Sequence, residues 1–246
     1  MRVYAIGDVH GQFDMLRDAH DRIARDRQAT GDDAAPVVHL GDFCDRGPDT
    51  AGVLQFLVDG IGGGEPWRAV MGNHDRLFRD FLSDGALTDA RLRSDLSWLS
   101  WNMGGLDTLR SYGMDRPESL SADDLHERAR AAVPESHRRF LHELETFIEL
   151  GDLVFVHAGI RPGVPLADQD EEDLIWIRQE FLLDTSDHGK LVVHGHTPVE
   201  EPMHCGNRVN LDTGAGYGRP LTAAVFEGRD CWVLTESGRR RLAPNS

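Results

Sequence analysis

The 246-residue chain predicts an α/β protein. Three observations carry that reading. Five short apolar runs end abruptly at a polar cluster that includes a glycine. Each cluster contains Asp, Asn or His. Stretches with helical spacing separate the first three runs. Polar groups just past a buried strand lie on the rim of a sheet, where α/β proteins hold their ligands.

Composition narrows the function. At 40% hydrophobic and 28% charged residues, the chain reads as globular, with a single domain over 1–246. A formal charge of −16 argues against a nucleic-acid polymer as the main partner and is compatible with binding cations. No run is long enough for a membrane span, and Met1 leads straight into a strand without a signal-peptide pattern, so the expected location is cytoplasmic. Three scattered cysteines make neither a disulfide framework nor a zinc knuckle.

The elements follow in order. Arg2 to Ile6 alternates as a strand and stops at Gly7-Asp8-Val9-His10-Gly11, where Asp8 and His10, two apart, face the same way. Asp14 to Arg27 is an amphipathic helix with Leu16, Ala19 and Ile23 on one face. Pro36 to Leu40 is the second strand, ending in Gly41-Asp42-Phe43-Cys44-Asp45-Arg46-Gly47. Asp49 or Thr50 caps a helix bearing Leu54, Leu57 and Val58, which Gly60 is expected to stop. Gly62-Gly63-Gly64 lacks the strand-to-helix setting of a phosphate loop and reads as a linker. Trp67 to Met71 is the third strand and delivers Gly72-Asn73-His74-Asp75.

From residue 76 to about 150 strand patterns vanish. The stretch reads as a helical insertion over the sheet edge, a source of substrate selectivity, with Trp98 and Trp101 packing one helix face. Leu153 to Val156 is a buried strand before His157-Ala158-Gly159. The acidic run Asp168 to Asp173 lacks the spacing of a calcium loop and reads as a solvated loop or helix start. Leu191 to Val193 ends at His194-Gly195-His196-Thr197. Val209 to Leu211, Leu221 to Phe226 and Cys231 to Leu234 read as closing antiparallel strands, and Arg239-Arg240-Arg241 as a disordered tail.

If the five strand ends share one edge, they bring together Asp8, His10, Asp42, Asn73, His157 and one of His194 and His196. Carboxylate, amide and imidazole without thiolate suit Mn, Fe or Zn. Six ligands suit two ions sharing a bridging carboxylate.

Those five motifs, in this order, resemble the calcineurin-like metallophosphoesterases. The similarity is greatest to the phosphoprotein phosphatase branch in its bacterial serine/threonine form, and it spans residues 3 to about 215. The resemblance implies a sandwich of two mixed β-sheets flanked by helices, with two divalent ions, Mn²⁺ foremost, at its edge. It places Asp8, His10 and Asp42 on the first ion, with Asp42 bridging to a second held by Asn73, His157 and His196. It makes His74 the general acid, Asp45 its orienting partner, and Arg46, Arg178 and Asn73 the residues that meet the phosphate. Pro198 stands where related families carry one more metal-binding histidine, and His194 falls outside the ligand set. Cys44 reads as a small buried apolar side chain. The implied substrate is phosphoserine or phosphothreonine in a protein, or a phosphorylated small molecule, with dinucleoside tetraphosphate hydrolysis as the alternative. A scaffold without turnover would be expected to lack His74, Arg46 or a ligand, and none is missing.

Overall fold

Alternation in the first strand sets the layering. The computed structural model describes residues 1–244. In β1 (Arg2–Ile6) successive side chains face opposite ways. Val3 and Ala5 join a buried cluster with Val38, Phe155, Val193 and Phe226. Tyr4 and Ile6 join another with Leu16, Ile23, Leu54 and Phe78. The first cluster is the seam between two sheets, and the second lies under a helical layer.

After β1 come α1 (Phe13–Thr30), β2 (Val37–His39), α2 (Thr50–Gly62) and β3 (Trp67–Ala69). The insertion holds α3 (Asn73–Asp84), α4 (Gly105–Ser111), α5 (Ala122–Ala132) and α6 (Glu135–Glu143). Then follow β4 (Phe147–Leu150), β5 (Leu153–Val156), α7 (Glu171–Trp176), α8 (Gln179–Leu182) and β6 (Leu191–His194). β7 (Met203–His204), β8 (Arg208–Asn210), β9 (Ala223–Glu227), β10 (Asp230–Thr235) and β11 (Gly238–Leu242) close the chain. One sheet has the order β11-β10-β9-β1-β2-β3, the other β4-β5-β6-β8-β7. The outer face of the second sheet packs Val156 and Val192 against Leu174, Ile175 and Phe181.

Parallel pairing is what aligns the ligand-bearing ends. β1, β2 and β3 run parallel, as do β5, β6 and β8, so Asp8, Asp42, Asn73, His157 and His196 all leave C-terminal strand ends on one rim.

Four expectations are corrected. Gly60 does not stop α2, which continues to Gly62. Any Cβ at Gly60 would overlap the Trp67 ring, so this glycine serves helix-to-sheet packing. The insertion is not purely helical: β4 pairs antiparallel with β5, an edge strand too short to show a pattern. β8 is parallel to β6, although β9 and β10 are antiparallel as expected. The Arg239-Arg240-Arg241 run is no tail. It lies in β11, paired with β10, where Arg239 donates to Asp26 and Glu227 at 2.7–2.8 Å and sits over the Trp232 ring. A basic run looks disordered only until its acidic partners fold beside it. The acidic run does start a helix, with Asp170 capping α7.

Candidate metal centre and active site

The five strand ends meet around a cavity of about 190 Å³ lined by His10, Asp42, Asn73, His74 and His196 among others. Positive φ is costly for residues with a Cβ. Six such residues show it among the described residues, and five are His10, Asp42, Asp45, Arg46 and His196. Strain is thus concentrated where the sequence places its chemistry. Two glycines make room for it. A Cβ on Gly195 would overlap Asp8 Oδ1, and one on Gly72 would overlap Asp42 Oδ1.

Asp42 stands between two groups. Its Oδ2 lies 3.4 Å from His10 Nε2, and its Oδ1 lies 3.4 Å from His157 Nε2. Asp42, His157 and His196 each offer an atom within 4.8 Å of the others, as do His10, Asp42 and His74. The ring orientations are fixed from behind. His10 Nδ1 donates to the Cys44 carbonyl at 2.9 Å, and His157 Nδ1 to the Leu40 carbonyl at 2.8 Å. Each ring therefore turns an Nε2 lone pair into the cavity. Asn73 Oδ1 lies 3.1 Å from His157 Nε2 and 2.8 Å from His196 Nδ1.

This donor set fits divalent ions. Lone pairs converge on carboxylate and amide oxygens, so acceptor faces acceptor. Asp8 accepts the His196 backbone N–H on Oδ2 at 2.9 Å, but its buried Oδ1 has no partner. Burial, then the charges of Asp212 and Asp42, push the Asp8 carboxyl upward. Although burial opposes it, His157, His74, His10 and His196 hold Asp42 low. Burial keeps His10 and His196 neutral, the form in which imidazole binds metal. Cations in the cavity would satisfy the orphan oxygen and relieve the carboxylate repulsion.

Beside it lies a charge-relay geometry. His74 Nδ1 is 2.6 Å from Asp45 Oδ2. Thr108 Oγ1 donates to Asp45 Oδ1 at 2.7 Å, and buried Trp98 Nε1 to both oxygens at 2.9–3.1 Å. Burial raises the Asp45 carboxyl to about 8, with the Thr108 and Trp98 donors pulling the other way. Burial also lowers His74 to about 3. Arg46 donates from Nη1 to His10 Nε2 at 2.8 Å and from Nη2 to His74 Nε2 at 2.9 Å.

The sequence model of calcineurin-like phosphoesterases matches residues 1–218. The chain is a calcineurin-like phosphoesterase. It is therefore a phosphate-ester hydrolase of a family that depends on a dinuclear metal centre. The chain is 30% identical to serine/threonine-protein phosphatase 1 of Salmonella typhimurium, covering 92% of both chains. It is 26% identical to the asymmetrical bis(5'-nucleosyl)-tetraphosphatase PrpE of Bacillus subtilis, over 90% of this chain and 89% of that one. The fold matches a crystal structure described as a putative diadenosine tetraphosphatase with TM-score 0.64, at 20% identity, over 99% of this chain and 95% of that one.

Sequence reasoning found the residues around the phosphoesterase cavity but not those that hold them. Trp98 does not pack a helix face with Trp101. It sits in a turn, buried against Phe78 and Phe81, and anchors Asp45, while Trp101 is 91% exposed. Helical spacing misled because residues 85–104 form turns. Thr108 gave no signal at all. Asp75 accepts from the backbone N–H groups of Phe43, Cys44 and Gly72, tying the second and third motifs together. Buried Asp212 lines the cavity beside Pro198 and was not anticipated. His194 is turned away: its Nδ1 donates to the Gly195 carbonyl, and Arg208 donates to its Nε2 at 3.3 Å. Cys44 is fully buried, as expected. Arg178 lines the cavity and makes no ion pair with the acidic run, whose Glu172 and Asp173 bind Arg76, Arg91 and Arg161 instead.

Proposed function

We propose that this phosphoesterase is a phosphomonoesterase acting on phosphoserine and phosphothreonine in proteins. The observation that carries the reading is the buried His74–Asp45 pair at 2.6 Å, held by Trp98 and Thr108. A serine or threonine alkoxide leaves poorly unless protonated, so a backed general acid matters most for such esters.

In this reading Asp8, His10 and Asp42 would hold one divalent ion and Asp42, Asn73, His157 and His196 the other, with Mn²⁺ as the first choice. Such ions, when bound, activate water and neutralise phosphate charge. His74 carries the proton that goes to the leaving oxygen. Asp45 keeps the ring turned, and the Trp98 and Thr108 donors keep Asp45 in place. Arg46 and Arg178 meet the phosphate oxygens with planar forks, a geometry lysine lacks, and Asn73 lines the same cavity and meets the phosphate with them. Arg46 donates to His10 Nε2, a lone pair an ion would take, so an ion held there would leave that fork to phosphate.

The second reading, dinucleoside tetraphosphate hydrolysis, is favoured by the arginine-lined space beside the cavity and by the likeness to PrpE. The test is kcat/KM for a phosphoserine peptide against diadenosine tetraphosphate on the same Mn²⁺-loaded enzyme. The peptide is expected to win. Rapid tetraphosphate cleavage with negligible peptide turnover would reverse the assignment.

A further inference from the structure

A wider cleft of about 370 Å³ adjoins the cavity and shares Arg46, Asn73, His74 and Arg178 with it. A group attached to a phosphate in the first space can therefore reach the second. The outer wall comes from the turns of the insertion, with Arg91 and Arg93, and from Trp176 across the cleft. Among the described residues four guanidinium groups line this space and no carboxylate does, in a chain with 42 acids against 26 cations. The net charge of −16 would by itself favour a basic flank on the substrate. Screening confines each charge to roughly 8–10 Å, so the local wall decides instead.

The arginines differ in readiness. Arg91 is anchored from behind by Asp173 at 2.9 Å. Arg178 has one long contact, donating to Thr197 Oγ1 at 3.4 Å, and keeps donors free. Arg93 pairs with Asp95, but both side chains are mostly exposed, at 76% and 60%. The pair is two-pronged, at 2.6 and 3.0 Å, but its exposure leaves it open to water and salt, so a substrate anion can compete with Asp95 for the fork.

We propose that this cleft is a subsite for a second anionic group, a carboxylate or phosphate adjoining the scissile phosphate, and that Arg93 selects for it. The proposal rests on the phosphatase reading above and names its preferred substrates as acidic phosphopeptides. A planar fork pairs with either oxyanion, and a cleft lined by one sign of charge concentrates the other.

The test uses three phosphoserine peptides differing only in acidic, neutral or lysine flanks, together with diadenosine tetraphosphate. Each rate is divided by that for p-nitrophenyl phosphate, which has no anionic flank. The wild-type enzyme is expected to favour the acidic over the lysine peptide by about ten-fold at low salt, the size of one good charge-assisted contact. Arg93→Ala should reduce that ratio, Arg93→Glu should erase or invert it, and 0.5 M salt should shrink it. Loss confined to the tetraphosphate arm assigns the second anion to a phosphate chain and supports the subsite. Equal wild-type rates on all three peptides with no effect of Arg93→Glu in either arm overturn it. Failure of the metal-loaded wild type to hydrolyse p-nitrophenyl phosphate counts against the phosphatase reading instead. The subsite is then read from fluorescence anisotropy of the labelled peptides, where equal affinities overturn it.

Discussion

His74 and Asp45 come from different strand ends and meet at 2.6 Å, with side chains 3% and 0% exposed. Removing the acid should therefore hurt chemistry more than binding. His74→Asn is expected to lower kcat on phosphoserine by roughly 10²–10⁴, with a smaller loss on p-nitrophenyl phosphate, whose leaving group scarcely needs a proton. Equal losses on both substrates would mean that His74 positions the ions or water.

Trp98 and Thr108 should act through Asp45. Trp98→Phe keeps the packing against Phe78 and Phe81 but removes a buried donor, and Thr108→Val does the same from the other side. Leaving a buried carboxylate short of a donor costs about 1–3 kcal/mol. Stopped-flow pH–rate profiles on phosphoserine should show the alkaline limb, where the general acid loses its proton, displaced in both variants. A profile identical to wild type, in a variant of unchanged kcat, would leave these two residues a packing role only.

Ion binding and stability should be linked through Asp42. Chelation is expected to abolish hydrolysis and lower the melting temperature, with Mn²⁺ restoring both. A ligand at a hundred times its Kd adds about 2.7 kcal/mol. Asp42→Asn, which touches both halves of the centre, should lose both ions by elemental analysis. Full activity in ion-free protein would sink the dinuclear assignment.

A pH effect should also come from two histidines outside the cavity lining. His20 and His39 meet Nε2 to Nε2 at 3.0 Å, and His39 Nδ1 donates to the Arg68 carbonyl. Burial lowers His39 to about 4, and burial with the His39 charge lowers His20 to about 2. Both histidines are neutral when folded but protonate near pH 6.5 when unfolded. Their stabilisation is complete above pH 6.5 and falls as pH drops toward 4. For His39 that amounts to about 2 kcal/mol by pH 5. Urea melts at pH 7 and pH 5 should show a smaller drop for His39→Gln than for wild type, and identical drops would refute the account.

The sequence by itself determined the strand ends and the chemistry they carry. A buried strand shows as an apolar run, and the residues that follow it are adjacent in the chain. Asp8 with His10, Asp42 with Asp45 and Arg46, and Asn73 with His74 are therefore legible from spacing alone. The same locality explains the Asp170 and Asp49 caps. Tertiary structure decided whatever depends on partners distant in the chain. Trp98 reaches Asp45 across 53 residues and Thr108 across 63, and neither residue type signals an anchor without the fold. Folding turned His194 toward Arg208 and His196 toward Asn73. It also made a strand of the arginine run by setting Asp26 and Glu227 beside it. The arginine-lined cleft belongs to this second class. It gathers side chains from the second strand end, the insertion turns and the segment after α7, and only their packing gives the wall its single sign of charge.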